Sequence, residues 1–106
     1  MLSQKELNRI KRFKERCIDN DIDILMEIPL TPTIYLYVLD YLNADMAAWA
    51  FYPKTGVEDY ISAPHETETI SEYAERCIDI LLDKHDWFNP AVKALIEARG
   101  RRSKQH

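Results

Sequence analysis

Thr33-Ile34-Tyr35-Leu36-Tyr37-Val38-Leu39-Asp40-Tyr41-Leu42-Asn43-Ala44-Asp45-Met46-Ala47-Ala48-Trp49-Ala50-Phe51-Tyr52 decides the fold, because it is the most apolar stretch of the chain and admits two readings. In the first half, β-branched and aromatic residues alternate: Ile34, Leu36 and Val38 point one way, while Tyr35, Tyr37 and Tyr41 point the other. That period of two, in residues suited to a pleated surface, predicts a strand over 33–41 with an aliphatic face and a tyrosine face. Leu42-Asn43-Ala44-Asp45 then reads as a turn and Met46–Tyr52 as a further strand. The competing reading is one apolar helix begun at Pro32, since the alanines of 44–50 favour helix. Neither reading makes a membrane span, because Asp40, Asn43 and Asp45 would be costly in lipid.

Upstream, Ile22, Ile24, Met26 and Ile28 recur at period two, predicting a strand before a connection bracketed by Pro29 and Pro32. Downstream, Pro53-Lys54-Thr55-Gly56 is a turn and Val57–Ser62 the fourth strand of a meander. Ser3-Gln4-Lys5-Glu6 is a capping box, in which serine and glutamate side chains satisfy free backbone N–H groups, and it opens a helix over 4–19. Its apolar side is Leu7, Ile10, Phe13, Cys17 and Ile18, and Lys5, Arg9, Arg12 and Arg16 form a basic stripe opposite. A second box, Thr69-Ile70-Ser71-Glu72, opens a helix with Ile70, Tyr73, Ala74, Cys77, Ile78, Leu81 and Leu82 on one side. Its outer side is acidic, with Glu68, Glu72, Glu75, Asp79, Asp83 and Asp86. Asn89-Pro90 caps a final helix through Ala91, Val92, Leu95 and Ile96, ended by Gly100. The expected fold is therefore α+β, a four-stranded antiparallel meander flanked by helices in the order α-β-β-β-β-α-α. Residues 1–100 form a single domain in this reading, and 101–106 a mobile basic tail.

The 106 residues and 12.5 kDa are one domain's worth. The formal charge of −4 conceals segregation: 1–16 carry six bases and two acids, 17–98 four and sixteen, and 99–106 four bases and no acid. An acidic body with basic ends suggests a partner chosen by charge, since such fields steer encounter and reject wrong partners. Only Gly56 and Gly100 are glycines, so the glycine-rich loops that wrap phosphates in P-loop and dinucleotide-binding folds cannot be built. Cys17 and Cys77, far apart and on apolar helix faces, read as buried free thiols of a cytoplasmic protein. The polar start Met1-Leu2-Ser3-Gln4-Lys5 is not the pattern of a signal peptide.

No catalytic motif emerges. His65, His85 and His106 are scattered, and nothing in their spacing builds a nucleophile–base pair with Cys or Ser. Asp19-Asn20-Asp21-Ile22-Asp23 begins like a calcium loop, but Ile24 stands where the loop needs glycine and Leu30 where it needs glutamate. No metal or cofactor is expected. Glu15-Arg16-Cys17-Ile18-Asp19 recurs as Glu75-Arg76-Cys77-Ile78-Asp79, with Ile10 matched by Ile70 and Phe13 by Tyr73. The two helices should thus present similar inner faces.

The expected function is that of a non-enzymatic, acidic, protein-binding domain, including the inhibitor type that occupies a basic groove meant for nucleic acid. Tyr35, Tyr37, Tyr41 and Tyr60, joined by Tyr52, are the candidate contact residues, because tyrosine supplies rigid area with a polar tip. If that face is not open, the last helix is expected to cover it. A small anionic ligand stacked on these tyrosines is the alternative. Nucleic acid, held by the basic helix and tail, is disfavoured at the acidic strands. The basic stripe and the acidic stripe of Glu72, Glu75, Asp79 and Asp83 could also meet in a weak, salt-sensitive homodimer, with Trp87-Phe88 or the tyrosines adding apolar burial.

Overall fold

The computed structural model describes residues 2–41 and 45–84, in the order α1 (Gln4–Asp19), β1 (Asp23–Thr31), β2 (Ile34–Tyr41), β3 (Asp45–Tyr52), β4 (Val57–Ser62) and α2 (Ile70–Lys84). The fold is α+β, and the strands form one antiparallel meander, β1-β2-β3-β4. Alternation thus wins over alanine content in 33–52: Ala48 and Ala50 lie opposite Val38 and Leu36 and are fully buried there. The final helix expected after Asn89-Pro90, the tail 101–106, Trp87-Phe88, Asp86, His85, His106 and the turn residues 42–44 lie outside the described residues. The chain divides into two compact units, Met1–Ala63 and Pro64–His106.

In the first unit, Ser3 accepts the Glu6 N–H at 3.1 Å while Glu6 Oε1 accepts the Ser3 N–H at 3.0 Å, so the capping box is complete. At the other end Asn20 closes α1, and Asp21 takes the left-handed conformation at φ 57°. The Ile22 N–H then reaches Cys17 O at 2.8 Å, the wide bond of a Schellman cap. The aspartates that resembled a calcium loop are therefore the residues that turn the chain out of the helix.

β1 runs longer than its alternation indicates, continuing through Pro29 to Thr31 where a connection was expected. As an edge strand it tolerates a residue with no N–H to donate. Two register shifts accommodate this, one between Ile24 and Met26 and one between Pro29 and Thr31. The first separates residues expected on one face: Ile24 lies opposite Leu39, on the side of α1, and Met26 lies opposite Val38, on the other. Gly56 closes the β3–β4 turn at φ 78°, its N–H bonded to Tyr52 O at 2.7 Å, a conformation that a side chain would strain.

The core beneath α1 consists of Ile10, Phe13 and Cys17 against Tyr37, Leu39 and Phe51. Phe13 is its centre, with ring centroids 4.6 Å from Tyr37 and 5.0 Å from Phe51. On the other sheet face Ile34, Leu36, Val38, Ala48 and Ala50 are fully buried. Leu7 and Ile18, assigned to the inner side of α1, are 46% and 68% exposed, so its apolar arc is narrower than the spacing suggests.

In the second unit the Thr69 box forms as read: Thr69 N–H to Glu72 Oε1 at 2.9 Å, and Glu72 N–H to Thr69 Oγ1 at 3.1 Å. Tyr73, Ala74, Cys77, Ile78, Leu81 and Leu82 are buried, whereas Ile70, in the first turn, is 40% exposed. No helix among the described residues is long and apolar enough to cross a membrane.

Candidate functional site

The pairing register decides which aromatic side chains share a face. Tyr35 lies opposite Phe51 and Tyr37 opposite Trp49, and in turn Trp49 lies opposite Tyr60 and Phe51 opposite Glu58. Directly paired residues project to the same side, so β3 and β4 extend the tyrosine face with Trp49, Phe51, Glu58 and Tyr60. Helix α1 crosses the middle of this face, packing Phe13 on Tyr37 and Phe51; the last helix, expected there, lies outside the described residues.

Under α1, Tyr37 is fully buried. Its hydroxyl donates to Glu27 Oε2 at 2.6 Å, and the same oxygen meets Lys14 Nζ at 2.6 Å. Burial pushes the Tyr37 phenol well above its ordinary range, and the Glu27 bond adds to this. For Glu27, burial works against the charged form, but the bonds from Lys14 and Tyr37 outweigh it and hold the carboxyl below its ordinary value. Tyr37 is thus a packing residue with a satisfied polar tip, and half-buried Tyr35 stacks beside it at 6.3 Å.

Beyond the C-terminal end of α1 the face is open. The Trp49 indole N–H donates to the Tyr41 hydroxyl at 2.9 Å, and the Tyr60 ring meets the indole edge-on at 5.5 Å. Tyr60 is 51% exposed. Tyr41, Trp49 and Ile22 line a hollow of about 180 Å³, with Cys17 and Arg16 on the helix side. A second, open groove of about 450 Å³ runs beside α1 over Phe13 and Phe51, edged by Arg9, Arg12, Arg16 and Gly56. The Arg16–Glu58 ion pair stands between the two and borders both.

The basic stripe therefore does not lie opposite the apolar side as a solvated row. Arg9 donates to the carbonyls of Pro53 at 3.0 Å and Lys54 at 2.5 Å, tying α1 to the β3–β4 turn. Arg16 pairs with Glu58 and lies 5.8 Å from the centre of the Phe13 ring. Arg12 is exposed and has no ion-pair partner among the described residues, and Lys5 is likewise exposed. On α2, Glu72 is engaged in its cap, Glu75 is half-buried, and Asp79 and Asp83 are exposed. Tyr52 is half-buried, its phenol raised by burial and by Asp59.

Comparison of the chain with family models, with curated proteins and with solved structures gave no match.

The repeated pentapeptide takes the same local form in each helix. Arg76 lies 5.5 Å from the Tyr73 ring centre, as Arg16 lies over Phe13. Each arginine also holds a glutamate outside its own helix: Arg16 holds Glu58, and Arg76 holds Glu68 through bonds of 2.7 and 2.9 Å. Those bonds, with the His65 N–H at 2.7 Å, draw the Glu68 carboxyl down to about 2. Cys17 and Cys77 are both buried, and burial raises both thiols, Cys77 to about 11, away from the thiolate that nucleophilic chemistry requires.

Trp49 is the member of this surface that sequence reasoning missed. Its alternation with Ala47 and Phe51 was visible, but the pairing that sets it between Tyr37 and Tyr60 is non-local. The assembled surface offers indole and phenol faces beside the Arg12 guanidinium, which has no ion-pair partner among the described residues.

Proposed function

We propose that this chain is a non-enzymatic protein-binding domain, and that it engages its partner through the Trp49–Tyr60 ledge and the arginine-edged groove next to it. The observation that carries the reading is the cluster of Tyr41, Trp49 and Tyr60, left partly open on a sheet face that α1 otherwise covers. Trp, Tyr and Arg are the residue types that dominate binding energy at protein interfaces, because each joins large contact area to a polar group. The shape favours a protein over a small molecule: the hollow is smaller than the roughly 300–1,000 Å³ of ligand pockets, and the larger groove is open along its length. Nucleic acid has less support, since Arg16 is neutralised by Glu58 and residues 17–98 carry sixteen acids against four bases.

The test is affinity capture from the native source with wild-type protein, Tyr60→Ala and Asp79→Ala, scored for the same captured protein. Tyr60→Ala is expected to weaken capture by about 30-fold or more, the size of an interface hot spot, and Asp79→Ala to leave it intact. Loss with Asp79→Ala and retention with Tyr60→Ala would move recognition to the acidic side of α2 and overturn the assignment.

A further inference from the structure

The groove and the hollow differ in charge, and the difference specifies what part of a partner they fit. At the Gly56 end the groove is edged by Arg9 and Arg12. Arg9 is fixed by two carbonyls, which orient its guanidinium without neutralising it, and Arg12 has no ion-pair partner among the described residues. The carboxylates bordering the groove are Glu58, Glu15 and Asp19. Glu58 is taken by Arg16, and Glu15 lies 3.9 Å from Lys11. Asp19 stands at the far end, seven residues and so about 10 Å along the helix axis from Arg12. Glu6, one turn before Arg9, is engaged in the Ser3 cap and is flanked by Lys54 as well as Arg9. One end of the groove therefore carries two guanidinium groups that form no ion pair within 4 Å among the described residues, Glu6 acting on Arg9 only at longer range. The other end is bounded by the Arg16–Glu58 pair, and the hollow lined by Tyr41 and Trp49 borders the same pair.

We propose that this groove takes an acidic, extended peptide segment of a partner protein, with a carboxylate on Arg12 and Arg9 and an aromatic side chain in the Trp49 hollow. The inference rests on the protein-binding reading above and names the chemistry of the partner. Arginine suits the first contact because its planar fork matches a carboxylate through two parallel N–H bonds. The helix residues bordering the hollow lie about six positions after the Arg9–Arg12 pair, hence about 9 Å along the axis. An extended chain covers that distance in about three residues. The recognised pattern is an Asp or Glu followed, about three positions later, by Phe, Tyr or Trp.

Two synthetic peptides test this, acetyl-Asp-Asp-Ala-Ala-Phe-Ala-amide and the same peptide with both aspartates replaced by lysine. Each is titrated into the full chain while side-chain N–H resonances are followed by NMR. The acidic peptide is expected to shift the Arg12 and Arg9 guanidinium signals together with the Trp49 indole signal, and to bind at least tenfold more tightly than the lysine peptide. Arg12→Gln should lower its affinity about tenfold, whereas Lys5→Gln, on the same helix outside the groove, should not. Equal or tighter binding of the lysine peptide, indifference to Arg12→Gln, or no response to the acidic peptide at millimolar concentration would each overturn the proposal. The Tyr60→Ala capture result is independent of these outcomes, so failure of the acidic pattern is distinguishable from failure of the protein-binding reading.

Discussion

Tyr37 and Phe13 sit ring to ring, yet they hold the first unit together by different means. Phe13 is 3% exposed and contributes area and contact alone, so Phe13→Ala should cost about 3–5 kcal/mol through lost burial and the cavity left behind. Tyr37→Phe keeps the ring and removes only the bond to Glu27, which Lys14 still holds, so the expected cost is about 1–2 kcal/mol. Urea unfolding of both variants measures the order, and a Tyr37→Phe cost equal to that of Phe13→Ala would mean that the ring itself has moved. The same cluster sets a pH dependence. Because the folded Glu27 carboxyl lies below its ordinary 4.5, its stabilisation is present above that pH and is lost as pH falls through the lowered folded value. Tyr37 has the opposite sign: its contribution is full below an ordinary phenol's pKa of about 10 and is lost only as pH rises through the raised folded value. Glu27→Gln should accordingly reduce the acid limb of a stability–pH profile and weaken the alkaline limb without removing it, because burial, the larger cause of the Tyr37 shift, remains.

At the scale of elements, what was legible in the sequence is what local chemistry determines. Both capping boxes formed because their partners are three residues apart and need nothing from the rest of the fold. Ser3→Ala and Thr69→Ala should each cost about 1 kcal/mol. Where an element depends on its neighbours, local reading failed. Pro29 marks a connection by propensity but lies within β1, because the pairing to β2 shifts register on either side of Leu25 and Leu30 and the edge position needs no N–H there. The exit from α1 offers a test of opposite sign. Asp21 holds a left-handed conformation that glycine adopts without steric cost. Asp21→Gly is therefore expected to raise the unfolding free energy slightly, by up to about 1 kcal/mol, read as a higher urea midpoint. A loss of stability would show that the Asp21 side chain contributes more to the cap than its backbone strain removes.

At the scale of the molecule, the four-stranded meander follows from alternation, but the helix that covers the tyrosine face does not. That α1 reaches Tyr37 is a contact between residues more than twenty positions apart, and the last helix lies outside the described residues. The charge stripes show the same limit. Lys5, Arg9, Arg12 and Arg16 are equivalent on a helical wheel, whereas in the fold Arg9 binds the turn carbonyls, Arg16 binds Glu58, and only Lys5 and Arg12 remain exposed without partners among the described residues. A homodimer built from opposed stripes needs all four. Exposed ion pairs give about 0–1 kcal/mol each, so two of them cannot offset the several kcal/mol lost in immobilising one chain on another. Of the acidic stripe, Glu72 is engaged in its own cap, which lowers the yield further. Sedimentation velocity at 20 mM and 500 mM salt is therefore expected to show no dimer that depends on salt; a dimer present under both conditions would rest on apolar burial by the tyrosines or Trp87-Phe88 instead of the stripes. A dimer that dissociates only in high salt would mean that Arg9 and Arg16 leave Pro53, Lys54 and Glu58 to meet a second copy. Because Arg9 and Arg16 border the groove, a dimer formed that way should also compete with the acidic peptide for Arg12.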